Sequence, residues 1–209
     1  MERFIELPRA ARGAEVRAAS FNEENNTVDV IWTTGATVRR RSWSEGPYDE
    51  ELVVDAKSVR LDRLNAGAPL LNTHSDWSLS DVIGSVVPGT ARLSNGVGIA
   101  TVKLSMAPGD ADNVQKIRDG IIRNISVGYV CHRIEKIEAD NGSVPVWRVV
   151  DWEPIEISAV PVPADPGAHI RAAKPKGSST FRCVLIESTP AAHVRRARMA
   201  MRARQSGSF

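Results

Sequence analysis

Asn124-Ile125-Ser126-Val127-Gly128-Tyr129-Val130-Cys131-His132-Arg133-Ile134 is the stretch that decides the fold. It is rich in β-branched and aromatic residues and contains no proline, which reads as strand. The strand pattern spans residues 122–137. Asp140-Asn141-Gly142 supplies a turn. Residues 144–160 then read as one or two further strands broken at Pro154, which cannot donate to a ladder. In a regular strand Ser126, Gly128, Val130 and His132 share one face, while Val127, Tyr129 and Cys131 share the other.

Working outward, residues 14–21 and 27–33 read as strands around the turn Glu23-Glu24-Asn25-Asn26. Residues 82–87 and 97–104 do the same around Pro88-Gly89 and Asn95-Gly96. Residues 35–48, polar and rich in Arg and Ser, read as an exposed hairpin or loop. Residues 56–65 fit a short helix ended near Gly67 and Pro69, and residues 69–74 turn from apolar to polar. The clearest helix covers 110–120. Pro108-Gly109 precede it, acids fill its first turn, Val114, Ile117 and Ile121 recur at helical spacing, and Gly120 can close it. About eight strand segments with few helices favour a β-barrel or sandwich decorated by helices.

The pattern fades after Pro166-Gly167. Residues 174–180 form a Pro/Gly/Ser linker and 191–204 a basic helix pattern, so the chain divides into a body at 1–170 and a tail at 171–209. The body carries 18 Lys+Arg against 24 Asp+Glu, and the tail nine against one, Glu187. Such a tail reads as a solvated end, or as a segment that binds an acidic partner or is removed. An acidic body repels phosphate, and two Tyr and four Phe without basic interleaving speak against nucleic-acid binding.

The 209 residues suffice for one domain with a core, and 42% hydrophobic with 25% charged residues is ordinary for a folded soluble chain. No apolar run reaches the roughly 20 residues of a membrane span. Residues 1–12 show no secretory h-region. The two cysteines, Cys131 and Cys183, make neither a disulfide framework nor a CxxC zinc motif, and a reducing cytoplasm fits.

Ser126 stands in a strand rather than in a GxSxG elbow. Its plain reading is a buried serine bonded to backbone. As a nucleophile it needs a base within roughly 2.6–3.2 Å. His132 shares its face but lies about 20 Å along the strand. That leaves His74, His169 and His193, the last in the basic tail. His74 closes a short apolar segment and precedes Ser75-Asp76-Trp77, a place that suits a site edge, although a histidine there is by itself more often a capping or surface one. A third group must orient the imidazole. Glu156, between Ile155 and Ile157, shares a face with Ser158 and Val160 and needs a partner if buried. Parity also allows it to face outward, and Glu153 and His169 are alternatives. Gly128 leaves room beside the serine for a substrate backbone or an oxyanion. Cys131 and His132 point to opposite faces and form no local dyad. His74 and Asp76 lack a third metal ligand nearby, so no metal is expected.

Three segments carry a resemblance: Ala68-Pro69-Leu70-Leu71-Asn72-Thr73-His74, Ser126-Val127-Gly128-Tyr129, and Glu156-Ile157-Ser158-Ala159-Val160 running into Pro163-Ala164-Asp165-Pro166. As a set and in this order they resemble the tailed-phage prohead protease family, related in fold to the herpesvirus assemblins, over about residues 50–170. The resemblance implies a closed β-barrel decorated by a few helices. It implies a serine endopeptidase without cofactor or metal, with Ser126 as nucleophile, His74 as general base and Glu156 as the orienting acid. The herpesvirus relatives use a second histidine in that third role, so His132 or His169 stay open for it. The sequence leaves the oxyanion stabiliser open between backbone N–H groups and an arginine such as Arg123 or Arg171, and favours neither arginine. The implied substrate is the major capsid protein with its scaffolding segment, cut inside an assembling procapsid in the bacterial host cytoplasm, with self-cleavage of the linker and tail. A homodimer, and a free protease or one fused upstream of a capsid protein, are part of the same expectation; membrane and nucleic acid are not. The alternative is a catalytically inactive capsid or scaffold protein of the same fold.

Overall fold

The computed structural model describes residues 2–16, 20–42, 45–139, 143–162 and 180–188. Over these residues the fold is mainly β with a few short helices. The strands are β1 (Glu2–Pro8), β2 (Ala10–Val16), β3 (Thr27–Thr33), β4 (Val38–Ser42), β5 (Gly46–Leu52), β6 (Pro69–Asn72), β7 (Val82–Val86), β8 (Arg92–Ser94), β9 (Val97–Leu104), β10 (Asn124–Ile137), β11 (Val146–Ala159) and β12 (Thr180–Ser188). The helices are α1 (Asp62–Asn65) and α2 (Ala111–Arg118).

The ladders explain the placement of the site. β2 pairs with β3, β3 with β9, β9 with β7 and β7 with β6, all antiparallel. β6 lies parallel to the end of β11, β11 is antiparallel to β10, and the start of β10 is antiparallel to β2. The other halves of the two long strands take other partners. β11 pairs in parallel with β5, which carries β4, and β10 pairs in parallel with β12, which carries β1. Register shifts between Gly128 and Tyr129, across His132 between Cys131 and Arg133, and between Arg133 and Ile134 separate the two halves of the ribbon. Bulges of this kind bend a strand and let each half join a different layer.

One core fills the interior. Trp32, Trp147, Trp152 and Tyr129 are among its fully buried side chains. Trp152 takes the edge of Trp32 at 6.0 Å and of Tyr129 at 5.5 Å between ring centroids. Each such side chain contributes upward of about 1.5–3 kcal/mol by burial. Val127 and Tyr129 face this core, as strand parity predicts.

Several sequence expectations change. Pro154 does not break β11: it stands next to the bulge, opposite Tyr129, where the ladder is already interrupted. The helix expected over 56–65 shrinks to α1. Asp55 Oδ1 instead accepts from the N–H groups of Lys57 and Ser58, and Val59 bridges Trp152. α2 stops before Ile121, which is exposed, because Gly120 closes it in the left-handed region (φ +69°). The expected hairpin near 35–48 is present as β4 and β5, but β5 buries Tyr48, Glu50 and Leu52. β1 and β8 carry no expected strand. β12 lies beyond residue 170 yet belongs to the sheet, with Cys183 and Leu185 buried, so the packed body continues past that boundary. The 140–142 turn and the 191–204 basic segment lie outside the described residues. No helix among the described residues is long and apolar enough to cross a membrane.

Candidate active site

His74 is delivered by a strained turn. β6 runs beside β11 through Asn72↔Ala159, and the Thr73 N–H extends that ladder to the Ala159 carbonyl at 3.0 Å. Thr73 (φ +55°) and His74 (φ +60°) then both adopt left-handed backbone. This costs about 1–2 kcal/mol per residue and is unusual for a β-branched threonine. Such strain persists only where the surroundings over-determine it. Here the His74 N–H donates to Ser158 Oγ at 3.2 Å and the Ser75 N–H to the Asn72 carbonyl at 3.1 Å.

The turn sets the His74 ring against Glu156. Nδ1 lies 2.7 Å from Glu156 Oε1. An ionised carboxylate only accepts, so Nδ1 carries the proton, and in the neutral ring Nε2 keeps its lone pair. Glu156 is 2% exposed, and such a charge needs partners. It has three: Arg9 Nη2 at 2.7 Å from Oε1, His74 on the same oxygen, and the Ser158 hydroxyl, which donates to Oε2 at 2.6 Å. Arg9 Nη1 donates to Asp76 Oδ2 at 3.1 Å.

Gly128 stands directly opposite Glu156 on the β10–β11 ladder. A Cβ there would sit 2.0 Å from Glu156 Oε1 and 2.7 Å from Arg9 Nη2. The space left by the missing side chain is therefore occupied by the carboxylate and the guanidinium, not kept open for a substrate backbone or an oxyanion.

Ser126 is opposite Ser158, two residues from Gly128, on the same face as Glu156. Diagonal neighbours of this kind stand about 7–8 Å apart. Ser126 is 3% exposed. Among the described residues its hydroxyl makes no hydrogen bond, to His74 or to any other group. Its neighbours Val127 and Tyr129 are pinned in the core, which fixes the face on which Ser126 stands.

The alternatives gather elsewhere. His132 sits at the bulge, with Nε2 3.5 Å from Glu153 Oε2, and Glu153 also accepts from Arg63 at 3.3 Å. Neither of these contacts involves His74. Cys131 is buried while His132, at the bulge, is partly exposed. Arg123 is exposed just ahead of β10. His169, His193, Arg171 and the Pro163-Ala164-Asp165-Pro166 segment lie outside the described residues. Among the described residues, no cluster of three or more His, Cys, Asp or Glu is placed to hold a metal ion. Sequence reading missed two residues of the site. Ser158 was within reach, since period two puts it on the face of Glu156. Arg9 was not, because it lies 147 positions before Glu156 in a link with no motif.

A histidine–carboxylate pair beside a strand serine, on a mainly antiparallel β-fold, is an arrangement that serine-dependent acyl-transfer chemistry uses. The chain belongs to the caudovirus prohead serine protease family, whose sequence model matches residues 19–182. It is also similar to the major capsid protein of Halomonas phage phiHAP-1, 33% identical over 131 residues. That match covers 62% of this chain and 21% of the capsid protein, so the chain spans about a fifth of the curated relative. No solved structure matches it.

Proposed function

We propose that the chain is a serine endopeptidase of phage procapsid maturation, with Ser126 as nucleophile, His74 as general base and Glu156 as the orienting acid. The observation that carries this reading is the 2.7 Å bond from His74 Nδ1 to a buried Glu156, next to a serine with no hydrogen bond among the described residues. Ser126 Oγ attacks the scissile carbonyl as its proton passes to His74 Nε2. Glu156 holds Nδ1–H and stabilises the imidazolium. The ring then gives the proton to the leaving amine, and water, activated by the same nitrogen, releases the acyl group. Catalytic hydrogen bonds are often long in the free enzyme and tighten in the complex, which fits a His74–Ser126 pair not yet closed.

The ladders support the fold that goes with this activity. β10 pairs with β11 on one side and with β2 on the other, and β2 leads through β3, β9, β7 and β6 back to β11. We infer a closed barrel from that succession. Trp77 and Leu79, both exposed, lie in the segment that follows His74, Leu79 at the start of a 3-10 turn, and offer apolar contact to an extended peptide. The substrate in this reading is a capsid precursor carrying its scaffolding segment, processed within the procapsid in the bacterial host, by an enzyme acting as a homodimer and cutting its own linker and tail. The relative that is a capsid protein supports either a free protease or a protease segment joined to a capsid chain.

The second reading is an inactive capsid or scaffold protein of the same fold, favoured by the open His74–Ser126 contact. A fluorophosphonate reagent separates the two. The active enzyme gains one phosphonyl mass on the peptide containing Ser126, and neither Ser126→Ala nor His74→Ala does. No labelling of a folded wild-type chain, alone or in procapsids, supports the inactive protein.

A further inference from the structure

Arg9 is the single residue linking β1 and β2. Its backbone is set by the last β1–β12 pairs, Leu7↔Phe181 and Pro8↔Thr180, and by the first β2–β10 pair, Ala10↔Tyr129. From there its side chain, about one quarter exposed, makes two ionic contacts. Nη2 meets Glu156 Oε1 at 2.7 Å, and Nη1 meets Asp76 Oδ2 at 3.1 Å. Two features set it apart from an ordinary surface arginine. It shares one carboxylate oxygen with His74 Nδ1, and it also holds the loop two residues beyond His74.

Gly128 supplies an independent observation. A Cβ at that position would stand 2.7 and 2.8 Å from Arg9 Nη2 and Nε, so the guanidinium lies over the bare glycine beside the carboxylate. The place for Arg9 is built into the strand that carries Ser126. Without Arg9, a carboxylate that is 2% exposed would keep only a histidine and a serine hydroxyl as partners. An under-compensated buried charge then draws in water or swings outward.

We propose that Arg9 is a positioning residue. It fixes the Glu156 carboxylate from below and the His74 loop through Asp76, so that His74 Nδ1 keeps its bond and Nε2 its aim. This rests on the proposed role of the His74–Glu156 pair. Among the described residues, Glu156 from β11 meets the imidazole, and Arg9 from the β1–β2 link joins that carboxylate to Asp76 of the His74 loop.

The test uses the full chain with 15N-labelled histidine, as wild type, Arg9→Ala and Arg9→Lys. The wild type is expected to show a slowly exchanging Nδ1 proton on His74. Arg9→Ala loses that signal, and its maximal fluorophosphonate labelling rate falls by about 10²-fold, the loss typical of a small misplacement. Reagent affinity and folded fraction stay unchanged, and Arg9→Lys recovers part of both the signal and the rate. An Arg9→Ala chain that keeps the proton signal and the rate overturns the proposal, as does a loss that follows unfolding and is not rescued by lysine. If wild type shows no labelling, the peptidase reading fails, while the His74 proton signal still decides the role of Arg9.

Discussion

Glu50 and Glu156 are both buried carboxylates, 3% and 2% exposed, and both meet an arginine, yet they sit on opposite faces of β10. Glu50 faces the core. It accepts from Arg40 Nε at 2.9 Å and from the Tyr129 hydroxyl, and Arg40 Nη2 reaches on to Tyr129 at 3.0 Å and the Ala11 carbonyl at 2.7 Å. Burial alone would lower the pKa of Arg40, but Tyr129, Glu50 and Tyr48 outweigh it and hold the guanidinium charged. Glu156 has a partner of another kind: His74, 30% exposed, on a left-handed backbone, whose second ring nitrogen makes no hydrogen bond among the described residues. The same buried acid serves as a structural tie when its partners are arginine and tyrosine. In the proposed mechanism it serves as an orienting group when one partner is a histidine that reaches the surface.

The largest effect should separate the two acids by activity. Glu156→Gln replaces the acceptor-only carboxylate that fixes the His74 tautomer with an amide that can also donate, and labelling at Ser126 should fall by about 10⁴-fold. Glu50→Gln should leave labelling per folded molecule near wild type. Equal losses in the two variants would erase the contrast.

Stability should run the other way. Glu50→Ala leaves Arg40 buried beside Tyr129 and should cost about 3–5 kcal/mol in urea unfolding. Glu156→Gln keeps its shape and leaves Arg9 with Asp76 near the surface, so its cost should be about 1–3 kcal/mol.

Gly128→Ala sharpens the comparison by acting on one acid only. Its methyl displaces Glu156 and Arg9, so overpacking should cost about 1–3 kcal/mol and labelling should drop by about 10²-fold. The Tyr129–Glu50 bond on the other face should survive, read from an unchanged near-ultraviolet tyrosine signal. The smallest effect is expected at the turn. Thr73→Asn places a residue more tolerant of left-handed backbone there and should raise stability by up to about 1 kcal/mol, with labelling unchanged.

What was legible in the sequence follows the range of the interactions. Ser126, Gly128 and Tyr129 could be assigned to faces because alternation is local, and Glu156 with Ser158 shared that logic. The partner of Glu156 was not local. His74 lies 82 residues before it and Arg9 earlier still, and only the β6–β11 and β2–β10 ladders bring them together. The role of Gly128 was misread because a missing side chain looks the same whether it makes room for a ligand or for the protein's own carboxylate. β12 was hidden by the basic composition around it, although Cys183 and Leu185 alternate as a core-facing strand should. The Glu50–Tyr129–Arg40 network spans three segments and has no motif.

The most direct measurement is the intact mass of the purified chain and of a phage capsid precursor incubated with it, beside the same mixture with Ser126→Ala. The account predicts that the precursor or the chain shortens with wild type and that neither changes with Ser126→Ala. Shortening in both mixtures would contradict the assignment of Ser126, and no shortening of precursor or chain by a folded wild-type protein within procapsids would contradict the protease itself.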